Sequence, residues 1–277
     1  MSGAARAGPA KSREAAQVMR RLLWVIPAAL AVAVAAWLLS AALGQTTVFK
    51  VEKGLVGVLV AAACWRTAAG FERGDYLRRA WILLGAVYAM LAAVQVLPVS
   101  RIGIAAVVVI SLVLNGLGVA ALVHFALAHR VAGLVIGSRG RNLAVFVGVL
   151  AVALVIDGWP MLDTLQRLRS GDFRAAMYLV SSAGDLAALL LIAPIFLTAL
   201  ALRGGLLLWP WALLAASTVS WLVVDAEALI AKLFPGVAES SLDYWSNGWQ
   251  MLACFLALGA AEAQRRLSAA SGSASGA

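Results

Sequence analysis

Of the chain's 277 residues, 63% are hydrophobic and only 13% charged, and the mean hydropathy is +0.94. Soluble domains are near half apolar and a quarter charged, so that class is excluded and a polytopic helical membrane protein is expected. The net charge of +9 would suggest nucleic acid in a soluble chain; here Arg and Lys gather at helix ends, and no nucleic-acid partner is expected.

Residues 1–21 are Ala, Gly, Ser and basic charge without apolar periodicity and read as a cytoplasmic tail. The first apolar run, Leu22 to Leu43, follows Arg20-Arg21 as a signal peptide would. It exceeds the usual apolar region of about 7 to 15 residues, so it is read as an uncleaved first span. A polar turn with Lys50, Glu52 and Lys53 leads to a second span, about Gly54 to Gly70, whose apolar part Arg66 shortens. Were that segment re-entrant, the C-terminus would change sides. The third and fourth spans run from about Ala80 to Pro98 and from about Ile102 to Ala128, joined tightly by Val99-Ser100-Arg101.

A basic loop precedes the fifth span, about Leu143 to Trp159, which Pro160 is expected to end. Met161, Leu162, Leu165 and Leu168 then recur at helical spacing with Asp163, Arg167 and Arg169 between them, the pattern of an amphipathic helix lying at the interface near 161–174. The sixth span is about Ala175 to Leu202, the seventh about Leu206 to Ile230 and the eighth about Trp245 to Ala263. Residues 265–277, a Ser/Ala/Gly stretch from Ser268, are expected to be a disordered cytoplasmic tail.

The fold class is therefore an all-α transmembrane bundle over residues 22–264, of about eight spans in four hairpins. Most of the 22 Arg and Lys fall in the N-terminal tail, the C-terminus and the loops after the second, fourth and sixth spans. The positive-inside rule then places both termini in the cytoplasm. The arginines Arg20-Arg21, Arg78-Arg79, Arg139 to Arg141, Arg203 and Arg265-Arg266 return at even steps. Repeated hairpins obeying that rule produce such a pattern with or without internal duplication.

On this topology the intramembrane polar groups Gln95, Asp157, Asp185, Asp225 and Glu227 lie in the outer half. Asp185 is the deepest, about ten residues or about 15 Å below the outer start of its span. A carboxylate there costs about 2.5 to 3.5 kcal/mol on insertion scales, so it should face the bundle interior, a partner or water. The functional reading is an outward-facing ligand or proton site built from Asp185, Asp225, Glu227 and Gln95. In the bland reading Asp157, Asp225 and Glu227 simply reach water, and Asp185 is a paired acid that fixes helix packing. Pro194, nine residues on, would help to bend the same helix.

Other residues carry less. His124 and His129 are five apart, a poor spacing for two ligands to one metal, and no cofactor is expected. Asn115 should hydrogen-bond a neighbouring helix, Lys232 should snorkel to the interface, and Cys64 and Cys254 read as small core residues. No phosphate-cradling glycine loop, nucleophile elbow or zinc-protease motif occurs, so no enzyme is expected.

Three short patterns, Arg78-Arg79-Ala80-Trp81, Gly184-Asp185-Leu186 and Trp221-Leu222-Val223-Val224-Asp225, resemble the multi-pass N-terminal membrane regions of bacterial diguanylate cyclases and histidine kinases. The resemblance implies short-looped helices, a cytoplasmic C-terminus and a sensing role. No output domain is read here, so it implies a detached module that signals through a separate cytoplasmic or membrane partner. The leading expectation is a non-enzymatic sensor in a bacterial inner membrane, the bacterial source being suggested by heavy Ala and Arg use. Its other partners are the lipid bilayer and a second copy in a homo-oligomer. A small transporter using the carboxylates is the main rival, and an assembly subunit, with a broad apolar face and no cavity, is the third.

Overall fold

A computed structural model describes residues 47–96, 103–131, 138–173, 175–201, 208–225, 227–234, 236 and 239–275, with eight scattered residues between 28 and 42. Most of the first expected span lies outside them. Among the described residues the fold is all α, with no strand. The helices are α1 Thr47–Ala68, α2 Tyr76–Val96, α3 Ile104–Val131, α4 Arg139–Arg169, α5 Ala175–Ala201, α6 Leu208–Asp225, α7 Glu227–Leu233 and α8 Glu239–Ser275.

The helix ends follow from local chemistry. Asp75 stands in the cap position before α2, and its carbonyl accepts from the Arg79 N–H at 3.3 Å. Ser138 does the same for α4, accepting from the Asn142 N–H at 3.2 Å. Pro210 falls in the first turn of α6, where the backbone N–H has no helical acceptor to lose. At the end of α4, Gly171 takes φ +96°, the Asp172 N–H bonds Arg167 O at 3.0 Å and the Gly171 N–H bonds Leu168 O at 3.1 Å. This is a Schellman stop, and it needs a residue without a Cβ at Gly171.

Four sequence expectations are corrected. Lys50, Glu52 and Lys53 lie within the first turns of α1, because charged side chains at a helix end can extend past the apolar region without breaking the backbone. Pro160 does not end the fifth span: α4 continues unbroken to Arg169, so the amphipathic stretch is the last part of one 31-residue helix. Proline removes one helical hydrogen bond, and the following turns, tied by the Asp163–Arg167 ion pair at 2.9 Å, carry on. The seventh span divides into α6 and α7 on either side of residue 226, which is outside the described residues. The tail from Ser268 is helical to Ser275, since extending an existing helix avoids the cost of nucleation.

Packing closes six helices into a ring. Around it, α1 packs on α2, α2 on α3, α3 on α5, α5 on α6, α6 on α8 and α8 back on α1, while α4 lies outside against α5. Small residues line many of the contacts, with Ala80, Ala121, Ala257, Ala260 and Ala261 fully buried, whereas Leu55, Leu59, Val109, Leu112 and Leu143 point outward. In water such an exposed apolar belt would be costly; in a bilayer it is expected, because lipid covers the outside and small residues let backbones approach inside. Tyr76–Val96, Ile104–Val131 and the Ala175–Ala193 part of α5 are long and apolar enough to cross a membrane; Asn142–Val155 and Leu208–Val224 are shorter apolar helices. The chain is a helical membrane protein.

One end of the ring is plugged by aromatics. Trp81 of α2 meets Phe125 of α3 edge to face at 5.0 Å, and Phe125 meets Trp211 of α6 at 5.7 Å in the same manner. Thr67 ties α1 to α8 at that end, its hydroxyl 2.9 Å from Ala261 O. Arg66, Arg78, Arg79, Arg130, Arg265 and Arg266 belong to the same end by their helix positions, and Glu262 bridges the last two at 2.7 Å each.

Candidate functional site

Beyond the aromatic plug the ring encloses a cavity of about 350 Å³. Each wall is one face of one helix, read at three- and four-residue steps. Leu84, Val87, Tyr88 and Leu91 come from α2; Ser111, Leu114, Asn115, Gly118 and Leu122 from α3; Ser181, Gly184, Asp185 and Ala188 from α5; Leu214, Ser217, Thr218, Trp221 and Val224 from α6; and Gln250 from α8. The lining mixes leucine walls with a few convergent polar groups, the usual make-up of a small-molecule site.

Asp185 is half-buried on the α5 wall, and it has polar or electrostatic contacts within the protein. It therefore faces the bundle interior and not the apolar belt, as the cost of a carboxylate at that depth requires. Its neighbour Gly184 sets the spacing of the two walls. A Cβ there would lie 2.7 Å from Asn115 Cγ and 2.9 Å from Asn115 Cβ, and nearer still to the amide oxygen. Only glycine lets α3 and α5 approach this closely, and the approach aims Asn115 Oδ1 at α5 beside the carboxylate. Asn115 Nδ2 donates to Ser111 O at 2.9 Å. The amide thus bonds its own helix and packs on the neighbour, which corrects the expectation of a bond across the interface.

Two polar chains brace the opposite walls. Ser217 Oγ donates to Ala253 O at 2.8 Å, so its lone pair is left to accept from the Tyr88 hydroxyl at 3.4 Å. That chain links α2, α6 and α8. Toward the end away from the plug, Lys53 Nζ donates to Asn247 Oδ1 at 2.6 Å and to Gln250 Oε1 at 3.1 Å, joining α1 to α8. Gln250 Nε2 in turn lies 3.4 Å from Ser246 Oγ, as donor. The ammonium stands behind a lining residue without itself lining the cavity.

The structure does not gather the four expected site residues at one place. Gln95 is half-buried at the end of α2 and lines a different hollow, an apolar groove of about 720 Å³ on the outside of the α1–α2 pair whose polar lining is confined to Lys50, Gln95 and the Trp65 indole. That groove is larger than the cavity but carries no acid, and its exposed Val51, Leu55 and Val58 fit a lipid-facing surface. Glu227 opens α7, half-buried and in contact with other groups. Asp225 ends α6, and its side chain, like that of Asp157, lies outside the described ones. On α3, His124 Nδ1 donates to Ala120 O at 2.9 Å and its ring sits 6.2 Å from that of Tyr76. Among the described residues no group of three or more His, Cys, Asp or Glu is placed to hold a metal.

Sequence reasoning missed Tyr88, Ser111, Ser181, Ser217 and Thr218. Their signal was present as polar or small residues recurring on one helix face, Ser111-Asn115-Gly118, Ser181-Asp185-Ala188 and Ser217-Trp221-Val224. Hydroxyls are common in spans, and only the ring closure shows that these three stripes meet. Comparison of the chain with protein-family models, curated proteins and solved structures returns no match.

Proposed function

We propose that this chain is a non-enzymatic sensor module of a bacterial inner membrane, with eight spans in four hairpins and both termini cytoplasmic. Its six-helix ring responds to what occupies the Asp185 cavity, and a separate signalling protein reads the response. The observation that carries this reading is that the cavity draws its walls from five different helices around one intramembrane acid. An occupant bound there contacts α2, α3, α5, α6 and α8 together, so any preference for one packing is felt round the whole ring. The plug of Trp81, Phe125 and Trp211 supports access from the opposite, outer side. The three stretches behind the resemblance to cyclase and kinase sensor regions also converge here: Trp81 in the plug, Gly184-Asp185 and Trp221 in the cavity.

Access is tested by placing Ser181→Cys or Thr218→Cys in the protein in intact cells and treating it with a charged, membrane-impermeant thiol reagent. The two native cysteines are buried and give a low background. Labelling from outside supports the reading; failure to label, or labelling from the cytoplasmic side alone, overturns it.

The rival reading is a small transporter, favoured by a carboxylate in a cavity that one end of the bundle closes off. Purified protein in sealed vesicles separates the two. The sensor reading expects proton and solute flux equal to that of empty vesicles, whereas flux abolished by Asp185→Asn would establish transport.

A further inference from the structure

We propose that the cavity ligand is a small organic ammonium ion with a short apolar body; this rests on the reading of the cavity as a ligand site and names its chemistry. The first argument is charge sign. The lining carries one carboxylate, Asp185, and no lysine, arginine or histidine, so a bound anion would face a like charge with no basic lining residue to offset it. Lys53, the basic group tied to the wall, is turned to the oxygens of Asn247 and Gln250.

The second argument is hydrogen-bond polarity. Donors on the lining are committed within the protein: Asn115 Nδ2 to Ser111 O, Ser217 Oγ to Ala253 O, Thr218 Oγ1 to Leu214 O at 3.1 Å and Gln250 Nε2 to Ser246 Oγ. What these groups present is acceptor capacity, with Asn115 Oδ1 aimed at α5 next to Asp185. An alkylammonium offers three donors and no acceptor, the complement of such a site. Trp221 and Tyr88 add aromatic lining, which attracts a cation to a ring face.

The third argument is size and polarity together. A volume of about 350 Å³ is near the lower end for small-molecule pockets. Leu84, Leu91, Leu114 and Leu122 give the ligand's body an apolar surround. A bare hard cation fits poorly, because it seeks about six or more oxygens and these walls are mostly leucine.

The test is the thermal midpoint of the purified full chain in detergent, titrated with n-butylammonium, 1-butanol, butanoate or sodium ion. Two variants accompany the parent protein. Asp185→Asn removes the charge, and Gly118→Leu fills the cavity from a position where a Cβ meets nothing within 4 Å. Saturable stabilisation by butylammonium, weakened at least about tenfold by Asp185→Asn and abolished by Gly118→Leu, is the expected result. A response to 1-butanol or butanoate that Gly118→Leu abolishes and Asp185→Asn preserves would overturn the ammonium assignment while leaving a ligand site. An equal response to sodium ion, lost in Asp185→Asn, would overturn it in favour of an inorganic cation. If no probe gives a response that Gly118→Leu abolishes, both the ammonium assignment and the ligand cavity are wrong.

Discussion

The closest contact between cavity walls gives a quantitative test. Replacing Gly184 with Ala would put a Cβ 2.7 Å from Asn115 Cγ and 2.9 Å from Asn115 Cβ, where carbon atoms prefer about 3.5 to 4.0 Å. The second distance matters most, because a Cβ cannot swing away as a side-chain tip can. Either α3 and α5 part by roughly 0.6 to 1 Å, or the backbone of one helix bends. Overpacking of this kind costs about 1 to 3 kcal/mol, set against a gain of up to about 1 kcal/mol from replacing a helical glycine. Gly118→Ala is the matched control, since its Cβ meets nothing within 4 Å and it reports the helix term alone. The two variants should therefore differ by about 1 to 3 kcal/mol in detergent unfolding titrations followed by circular dichroism. Exchanging the glycine across the seam, with Asn115→Gly added to Gly184→Ala, should recover stability as a favourable coupling of about 0.5 to 3 kcal/mol. Gly184→Ala and Gly118→Ala agreeing within about 0.5 kcal/mol would refute the close approach.

Three further outcomes follow from the same geometry. Ser217→Ala should destabilise more than Tyr88→Phe, because the serine bonds both Tyr88 and Ala253 O whereas the tyrosine gives up one long bond; about 0.6 kcal/mol is typical of one such bond in a membrane, and the reverse order in unfolding titrations would count against the chain. Lys53→Met should cost about 1.5 to 3 kcal/mol through its charge-assisted bonds to Asn247 and Gln250, and hydrogen exchange should rise around residues 246–250; an unchanged exchange pattern would argue that the ammonium does not brace α8. Phe125→Ala, at a fully buried position between two indoles, should cost about 3 to 5 kcal/mol and let an impermeant thiol reagent reach Thr218→Cys from the arginine-rich end. Labelling confined to the opposite end would show that the aromatics are not the plug.

Much of the fold was legible because apolar length and basic loops are local properties. Ala175 to Leu202 was read within one residue of α5, and the ends expected for the third and fourth spans fell within about four residues of α2 and α3. Errors came where one residue type was given too much authority. Pro160 was taken as a stop although a helix survives one missing bond, and Lys50 to Lys53 as a turn although charges at a helix end are readily solvated. For the site, depth in the sequence singled out Asp185, and the ring places it on the cavity wall. Depth could not distinguish Gln95, which belongs to the outer α1–α2 groove. Which faces meet is decided by ring closure, above all by α3 packing on α5 and α8 returning to α1, contacts between segments far apart in the chain.

Closure also bounds how such a sensor can work. One ammonium–carboxylate contact contributes about 1.5 to 3 kcal/mol, or a preference of roughly 10- to 150-fold for the packing that makes it. Moving a population from 1% to 99% requires about 10⁴-fold, which this contact cannot supply, whereas moving it from about 10% to about 90% requires about 80-fold, which it can. A ring switched through Asp185 must therefore be poised, with the ligand-bound packing already populated at roughly a tenth before ligand arrives. The interface suited to that role is the α3–α5 seam, where the carboxylate stands beside a glycine pressed against Asn115. A small shift there changes both the seam and the cavity, while the Thr67–Ala261 and Ser217–Ala253 bonds hold α1 and α6 to α8. Spin labels on the outer ends of α3 and α5 should accordingly show two distances without ligand, the minor one near a tenth of the population and enriched by butylammonium. A single distance unchanged by the ammonium would mean that the ring is rigid and that Asp185 serves packing alone.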